Sequence, residues 1–289
     1  FKKRIEILNG VRIYRVFQTP RTIKAGNMAL SLNYMTYAIN AMFWAFALAI
    51  FKPRYDAVIV HEPSPITQAW PALVLGILQK ASVYMWVLDI WPDAMSSGGG
   101  IRNEKILSLV DKFVKLVYTK SEKILISSRR FTDLILQKGN YADKLVYFPN
   151  WADDMLSMPI IETPSLPKGF IIMMAGNLGS AQNIPSVLQA ALLLKDIPEI
   201  KWVFIGSGSE KEYIDSFIKE YELEEIVYTM GRYPFSSMPA FFRQANAMLL
   251  TLRAQFPHLK AVVPARLQSY MSAGKPILAM IDGGGADII

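Results

Sequence analysis

The sequence predicts an α/β protein built from two β/α domains. Short β-branched or apolar runs alternate, in both halves, with longer segments whose apolar residues recur at helical spacing. The rhythm breaks once, over 149–169, where Pro149, Pro159, Pro164 and Pro167 fall among few periodic apolar positions. The 289 residues, 52% hydrophobic and 19% charged, suffice for two cores and are too apolar for a disordered chain. A strand-then-helix order implies parallel sheets covered by helices on both faces. The expected domains are 1–158 and 170–289, with a linker at 159–169. In such sheets ligands bind beyond the carboxyl ends of the strands, and two domains would place a cleft there.

The first decision along the chain concerns Tyr34 to Phe51, 18 residues without a charge and near the minimum for a membrane span. Asn33, Thr36 and Asn40 are polar, and Lys52-Pro53-Arg54-Tyr55-Asp56 leads straight on, so we expect a helix buried on a sheet or lying in a membrane interface rather than a span. Strands are then expected at 57–60, 83–88, 123–127 and 145–148, alternating with helices at 68–79, 104–118 and 130–137. After the break, strands at 170–174, 202–205, 226–228, 247–250 and 276–279 alternate with helices at 184–195, 210–220, 236–244 and 264–272.

Charge and composition narrow the function. Residues 1–160 carry 20 Lys and Arg against 12 Asp and Glu, while 161–289 carry 11 against 12. The basic half suits phosphate groups or an anionic membrane surface, or is a solvated face without a partner. Without cysteine there is no disulfide framework and no thiolate metal site, and His61 and His258 are too few for a multi-histidine site. The start at Phe1 followed by Lys2-Lys3-Arg4, and the end at Asp287-Ile288-Ile289, show no signal peptide and no closing helix. Both ends read as cut, which makes each domain incomplete at its outer end.

Four turns of the second half stand where backbone N–H groups and a helix N-terminus can meet an anion. They are Ala175-Gly176-Asn177-Leu178-Gly179-Ser180-Ala181-Gln182, Gly206-Ser207-Gly208-Ser209, Gly231-Arg232, and Asp282-Gly283-Gly284-Gly285-Ala286-Asp287. Each alone is also an ordinary tight turn. Arg266, at a helix start just after Pro264, suits a diphosphate through bidentate hydrogen bonds, or is a surface arginine. Lys260 and His258 are weaker candidates upstream. In the first half, Leu88-Asp89-Ile90-Trp91-Pro92-Asp93 sets two carboxylates around a tryptophan. Asp89 could orient a hydroxyl or accept a proton, and Asp93 could do so or cap a helix. His61-Glu62-Pro63 follows the preceding strand, and Gly98-Gly99-Gly100 could form a loop. The chain has no Asp-x-Asp element for holding a nucleotide through a divalent metal.

These segments, in order, resemble a known family. H-E-P-S-P-I-T-Q (61–68), W-V-L-D-I-W-P-D (86–93), Y-F-P-N-W-A-D (147–153), A-G-N-L-G-S-A-Q (175–182), G-S-G (206–208), G-R (231–232), V-P-A-R-L-Q-S-Y-M-S-A-G-K-P-I-L-A (263–279) and G-G-G-A-D (283–287) look like a retaining glycosyltransferase of the GT-B fold, family 4, in the bacterial surface-polysaccharide branch that includes N-acetylfucosamine transferases. The resemblance implies two Rossmann-like domains and a nucleotide-diphospho-sugar donor, UDP-linked, as a substrate; no cofactor and no metal are expected. Donor contacts would come from Gly176, Asn177, Gly179, Gln182, Gly206, Ser207, Arg232, Lys260, Gly283, Gly284, Gly285 and Asp287, with Asp89 and Arg266 catalytic and Glu62 and Asp93 on the acceptor side. The acceptor would be a polyprenyl-diphosphate-linked glycan, met at the inner face of the cell membrane by a peripheral enzyme of O-antigen or capsule assembly. Nucleic acid is not an expected partner. The chain departs from the family where an Arg and a Lys are usual, carrying Asn177 and Gln182, and where paired glutamates are usual, carrying Ala261 and Ser269. Asp89 stands in place of a frequent histidine. A nucleotide-sugar epimerase and a non-catalytic binding module are the alternative readings.

Overall fold

A computed structural model of the chain describes residues 4–20, 26–98, 103–154, 157–159, 161–253 and 257–289. Gly99 and Gly100, most of the expected Gly98-Gly99-Gly100 loop, lie outside the described residues. The chain divides into two compact units, 1–148 and 149–289.

The first unit opens with an antiparallel hairpin, β1 (Ile5–Leu8) and β2 (Val11–Tyr14). Its turn is Asn9-Gly10, both at positive φ, the chemistry that a two-residue hairpin turn favours. Then follow α1 (Gly26–Phe51), β3 (Ala57–Glu62), a 3₁₀ turn at Ile66–Gln68, α2 (Ala69–Gln79) and β4 (Ser82–Val87). The unit closes with α3 (Asp93–Gly98), α4 (Glu104–Lys120), β5 (Lys123–Ile126), α5 (Phe131–Leu136) and β6 (Leu145–Tyr147). Strands β3, β4, β5 and β6 pair in that order, all parallel. α4 starts where it does because the Asn103 side chain accepts from Lys105 N at 3.0 Å and Ile106 N at 3.3 Å, satisfying two otherwise orphaned donors.

The helix at Tyr34 to Phe51 forms, but it is not buried on the sheet. α1 packs chiefly on α2, through a stripe of small residues, Ala38, Ala41 and Ala45, that lets the two helices approach closely. Its other side leaves Phe43 69% exposed, Ile50 71% and Phe51 77%. Among the described residues it is the one helix long and apolar enough to cross a membrane.

The second unit holds β7 (Phe170–Asn177), α6 (Ile184–Leu193), β8 (Ile200–Ser207), α7 (Lys211–Glu220), β9 (Val227–Gly231) and α8 (Met238–Gln244). It ends with β10 (Ala247–Thr251), α9 (Pro257–Ala261), α10 (Ala265–Ser272) and β11 (Ile277–Met280). Its sheet is parallel throughout, in the order β11-β10-β7-β8-β9. Successive residues of a strand face opposite ways, so a strand covered on both sides is apolar throughout. In β7, Ile172 and Met174 join the core with Leu188, Phe204 and Phe217, while Ile171, Met173 and Ala175 join the core with Phe241, Leu267 and Tyr270. Each large side chain buried there contributes about 1.5–3 kcal/mol of transfer free energy.

The proline-rich segment packs on this second unit. Gln244 Oε1 accepts from Leu166 N at 3.0 Å, Gln244 Nε2 donates to Thr163 Oγ1 at 3.2 Å, and Ser272 Oγ donates to Asp153 O at 2.8 Å. Met158 and Leu166 lie against its core.

Candidate functional site

In the second unit, β7 and β8 run further than expected. Gly176 pairs with Gly206 and Asn177 with Ser207, so these four residues end the ladder rather than forming turns. The glycines are there for close approach: a Cβ on Gly206, at φ +140°, would stand 1.8 Å from Gly176 O. The connection after β7 is pinned from three sides. Leu178 N donates to Ser207 O at 3.1 Å, Arg253 N donates to Ala181 O at 2.9 Å, and Thr251 Oγ1 donates to Gln182 O. Gly179 N–H is engaged within the turn, donating to Gln182 Oε1 at 2.9 Å.

Arg266 reaches this edge because of how α10 is anchored. Leu267 and Tyr270 are wholly buried, and the Tyr270 hydroxyl accepts from Ala175 N at 2.9 Å and donates to Ala175 O at 3.1 Å. That bolts α10 to β7 and turns Arg266 toward the strand end. Its Nη2 donates to Asn177 O at 2.8 Å and lies 3.4 Å from where a Cβ on Gly176 would be. Its Nη1 is buried, without a hydrogen bond of normal geometry, and the guanidinium also interacts with the Tyr270 hydroxyl. Arg253, two residues past β10, likewise buries its Nε without a partner. Sequence reasoning passed over Arg253, although its place just beyond a strand's carboxyl end was a usable signal. Two guanidinium groups beside glycine-lined strand ends fit a phosphate or diphosphate.

The other donor-side residues make contacts of their own. Lys260, on α9, pairs with Asp282 at 3.3 Å. The Gly283-Gly284-Gly285 turn folds onto it: Gly284 N donates to Lys260 O at 2.7 Å, and a Cβ on Gly283 would stand 1.9 Å from that oxygen. Asp287 N donates to Gly283 O at 2.9 Å, closing the turn. His258 is buried in α9, and Arg232 is exposed just past β9.

In the first unit the parallel register of β3 and β4 brings Glu62 and Asp89 to the same sheet edge. Glu62 is fully buried and neither carboxyl oxygen has a hydrogen-bond partner of normal geometry. Burial, then the neighbouring Asp89 carboxylate, hold its carboxyl well above the usual carboxylate range, against a weaker opposing pull from the Trp91 indole N–H. Asp89 is pushed up to about 7, by burial first; the Ile90 N–H, which donates to Asp89 Oδ1 at 3.0 Å, opposes the shift and Asp93 adds to it. A carboxyl poised near neutrality can take or give a proton. Asp93 stands in the first turn of α3 and pairs with Lys138 at 3.7 Å. His61 lies edge-on to Trp86 at 4.8 Å between ring centroids, and Trp86 Nε1 donates to Phe148 O at 3.2 Å, so the W-V-L-D and Y-F-P segments pack together.

Residues 161–289 match the family model described as glycosyl transferases group 1. Over the longer chain, "Probable glycosyltransferase WbjE" of Pseudomonas aeruginosa is 26% identical across 280 residues, 93% of this chain and 67% of the relative. "Putative colanic acid biosynthesis glycosyl transferase WcaI" of Escherichia coli (strain K12) is 22% identical across 84% of this chain and 61% of its own length. The chain therefore spans about two thirds of the curated relatives it matches. Among solved structures, sucrose-phosphate synthase from Thermosynechococcus elongatus superposes with a TM-score of 0.70 at 15% identity, covering 98% of this chain and 69% of that one. Anabaena HepE, solved with UDP, gives 0.65 at 14% identity over 90% of this chain and 67% of its own. At these identities the structures speak to the fold, which is the GT-B type of parallel α/β architecture.

Proposed function

We propose that the chain is the larger part of a glycosyltransferase of bacterial surface-polysaccharide assembly. It moves a sugar, an N-acetylated hexose in our reading, from a UDP-linked donor to a lipid-linked glycan with retention and without a metal. The observation that carries this is Arg266, held by the Tyr270 anchor at the end of β7 and lying against Gly176. A departing diphosphate gains negative charge, and a fixed guanidinium stabilises it without reorganising during the reaction. The structures bound to UDP among the fold's neighbours, and the relative named for colanic acid biosynthesis, support this reading. Asp89, with its carboxyl near 7, is the group we assign to the acceptor hydroxyl. The apolar exposed side of α1 and the basic excess before residue 160 support a peripheral place on the inner face of the membrane.

The test is product analysis. The chain is incubated with labelled UDP-N-acetylglucosamine, with EDTA, and with liposomes carrying a polyprenyl-diphosphate-linked sugar. The reading expects UDP release and label in the lipid phase, with the anomeric configuration of the donor kept in the product. Conversion of the donor sugar in the absence of acceptor would make the protein an epimerase instead, and donor binding without turnover would make it a binding module.

A further inference from the structure

Alternate residues of β3 turn inward, and the last inward place, after Val58 and Val60, is filled by an acid. Glu62 has no exposed surface. Its main chain is fixed: Leu88 N donates to Glu62 O at 3.1 Å, and the parallel register sets Glu62 opposite Val87, two residues before Asp89. Its side chain is less well served. Neither carboxyl oxygen has a hydrogen bond of normal geometry, although the Trp91 indole N–H is turned toward the group.

The ionisable groups around Glu62 come from three places. Asp89 and Asp93 follow β4, Asp111 and Tyr118 stand on α4, and Lys138 follows α5. Lys138 is taken, by Asp93 at 3.7 Å and Asp111 at 3.2 Å. Burial first, then the Glu62 charge, push the Tyr118 hydroxyl up, so it keeps its proton. Among the described residues no cation meets Glu62. A carboxylate shut away from water without a counter-charge is far costlier than a neutral acid. Asp89 is only partly buried and accepts the Ile90 N–H, so of the two acids it is the one that ionises first.

We propose that Glu62 is a positioning residue: a neutral acid whose carbonyl oxygen holds the Trp91 indole, and through it the Asp89-Ile90-Trp91 segment, while its lack of charge leaves Asp89 free to ionise. An ionised Glu62 would repel the Asp89 charge, and an apolar residue would leave the buried indole N–H nothing to accept it. Glutamine reproduces both properties of the neutral acid, and leucine neither the acceptor nor the polarity. The inference rests on the reading above that Asp89 meets the acceptor hydroxyl, and adds what keeps Asp89 in place and in the right charge state.

The readout is the Trp91 indole N–H resonance in nitrogen-edited NMR of the labelled chain, assigned with Trp91→Phe. In the native chain its shift should follow one titration step at about 7, and Asp89→Asn should abolish that step. Glu62→Gln should leave both the resonance and the step where they are. Glu62→Leu should fold at least as well, since an apolar residue often replaces a buried ion or acid without loss. It should nevertheless move the resonance upfield, as a lost acceptor does, and lower kcat for sugar transfer at least tenfold at unchanged affinity for UDP. A step displaced to clearly lower pH in Glu62→Gln would show Glu62 to be charged, and an unmoved resonance or an unchanged kcat in Glu62→Leu would show it to be ordinary core; each overturns the inference. The two readings fail separately: a native chain that transfers no sugar but keeps the NMR pattern removes the transferase reading and leaves the positioning of Asp89 by Glu62 standing.

Discussion

Where β3 and β4 end, the first unit gathers two acids, Glu62 and Asp89, in apolar surroundings that hold both carboxyls above their ordinary range. Where β7 and β10 end, the second unit gathers two arginines, Arg253 and Arg266, beside glycines that allow close approach. Both edges come from one construction, a parallel sheet whose carboxyl ends feed connecting turns. The chemistry differs because the floor differs. Side chains at the end of β3 and β4 carry the first site, whereas the second is a backbone surface with cations brought in from helix and loop. Substitutions should therefore act differently: at the second edge, backbone changes break the unit, while at the first, charge changes shift its response to pH.

The largest effect is expected at Gly206. An alanine there meets Gly176 O and must hold φ +140°, so Gly206→Ala should cost the second unit about 4 kcal/mol or prevent its folding. Gly231→Ala, at φ +78° but with open space around the added carbon, should cost only about 1 kcal/mol. Urea unfolding followed by circular dichroism measures both, and equal costs would refute the close-approach account.

The next effect belongs to the first unit. Asp89, with its carboxyl at about 7 in the fold, keeps a proton that the unfolded chain has already released. The folded state thus binds more protons between the ordinary carboxylate range and neutrality. Stability is fullest below that range, falls as pH rises through 7, and levels off above. The loss should be on the order of a few kcal/mol. Asp89→Asn should flatten much of that slope, leaving the part of the same sign due to Glu62; an unchanged slope in the variant would remove Asp89 from the account.

Tyr270→Phe deletes both bonds to Ala175 and should cost about 1–3 kcal/mol of stability while loosening the seat of Arg266. Donor binding should then weaken together with stability, and calorimetry on the variant would show it. Smallest of all, Arg253→Ala should weaken UDP binding severalfold, about 1 kcal/mol, at unchanged stability; unaltered affinity would leave Arg266 as the lone cation of the site.

The same comparison shows what a sequence displays. The alternation of strand and helix was legible almost element by element, since a strand covered on both faces must be apolar throughout, as Phe170 to Ala175 is. Arg266 was legible from its place after Pro264, because the Leu267 and Tyr270 spacing marks which face of α10 is buried. The hairpin at Asn9-Gly10 was missed although its turn signal was in plain view. Gly176 and Gly206 were recognised as important but assigned to turns, because a glycine that permits close approach and one that permits a turn look alike until the partner strand is known. Two features were beyond sequence reading. The burial of Glu62 depends on packing from elements distant along the chain, and the exposure of α1 depends on its lying against α2 rather than the sheet.

The central claim is that the second unit's edge is a diphosphate site built on Arg266. Calorimetric titration of UDP into the native chain and into Arg266→Ala addresses it most directly. The account predicts saturable binding that weakens at least tenfold in the variant, about 1.4 kcal/mol, with no change in the unfolding midpoint. Equal affinity in two equally folded proteins would contradict it.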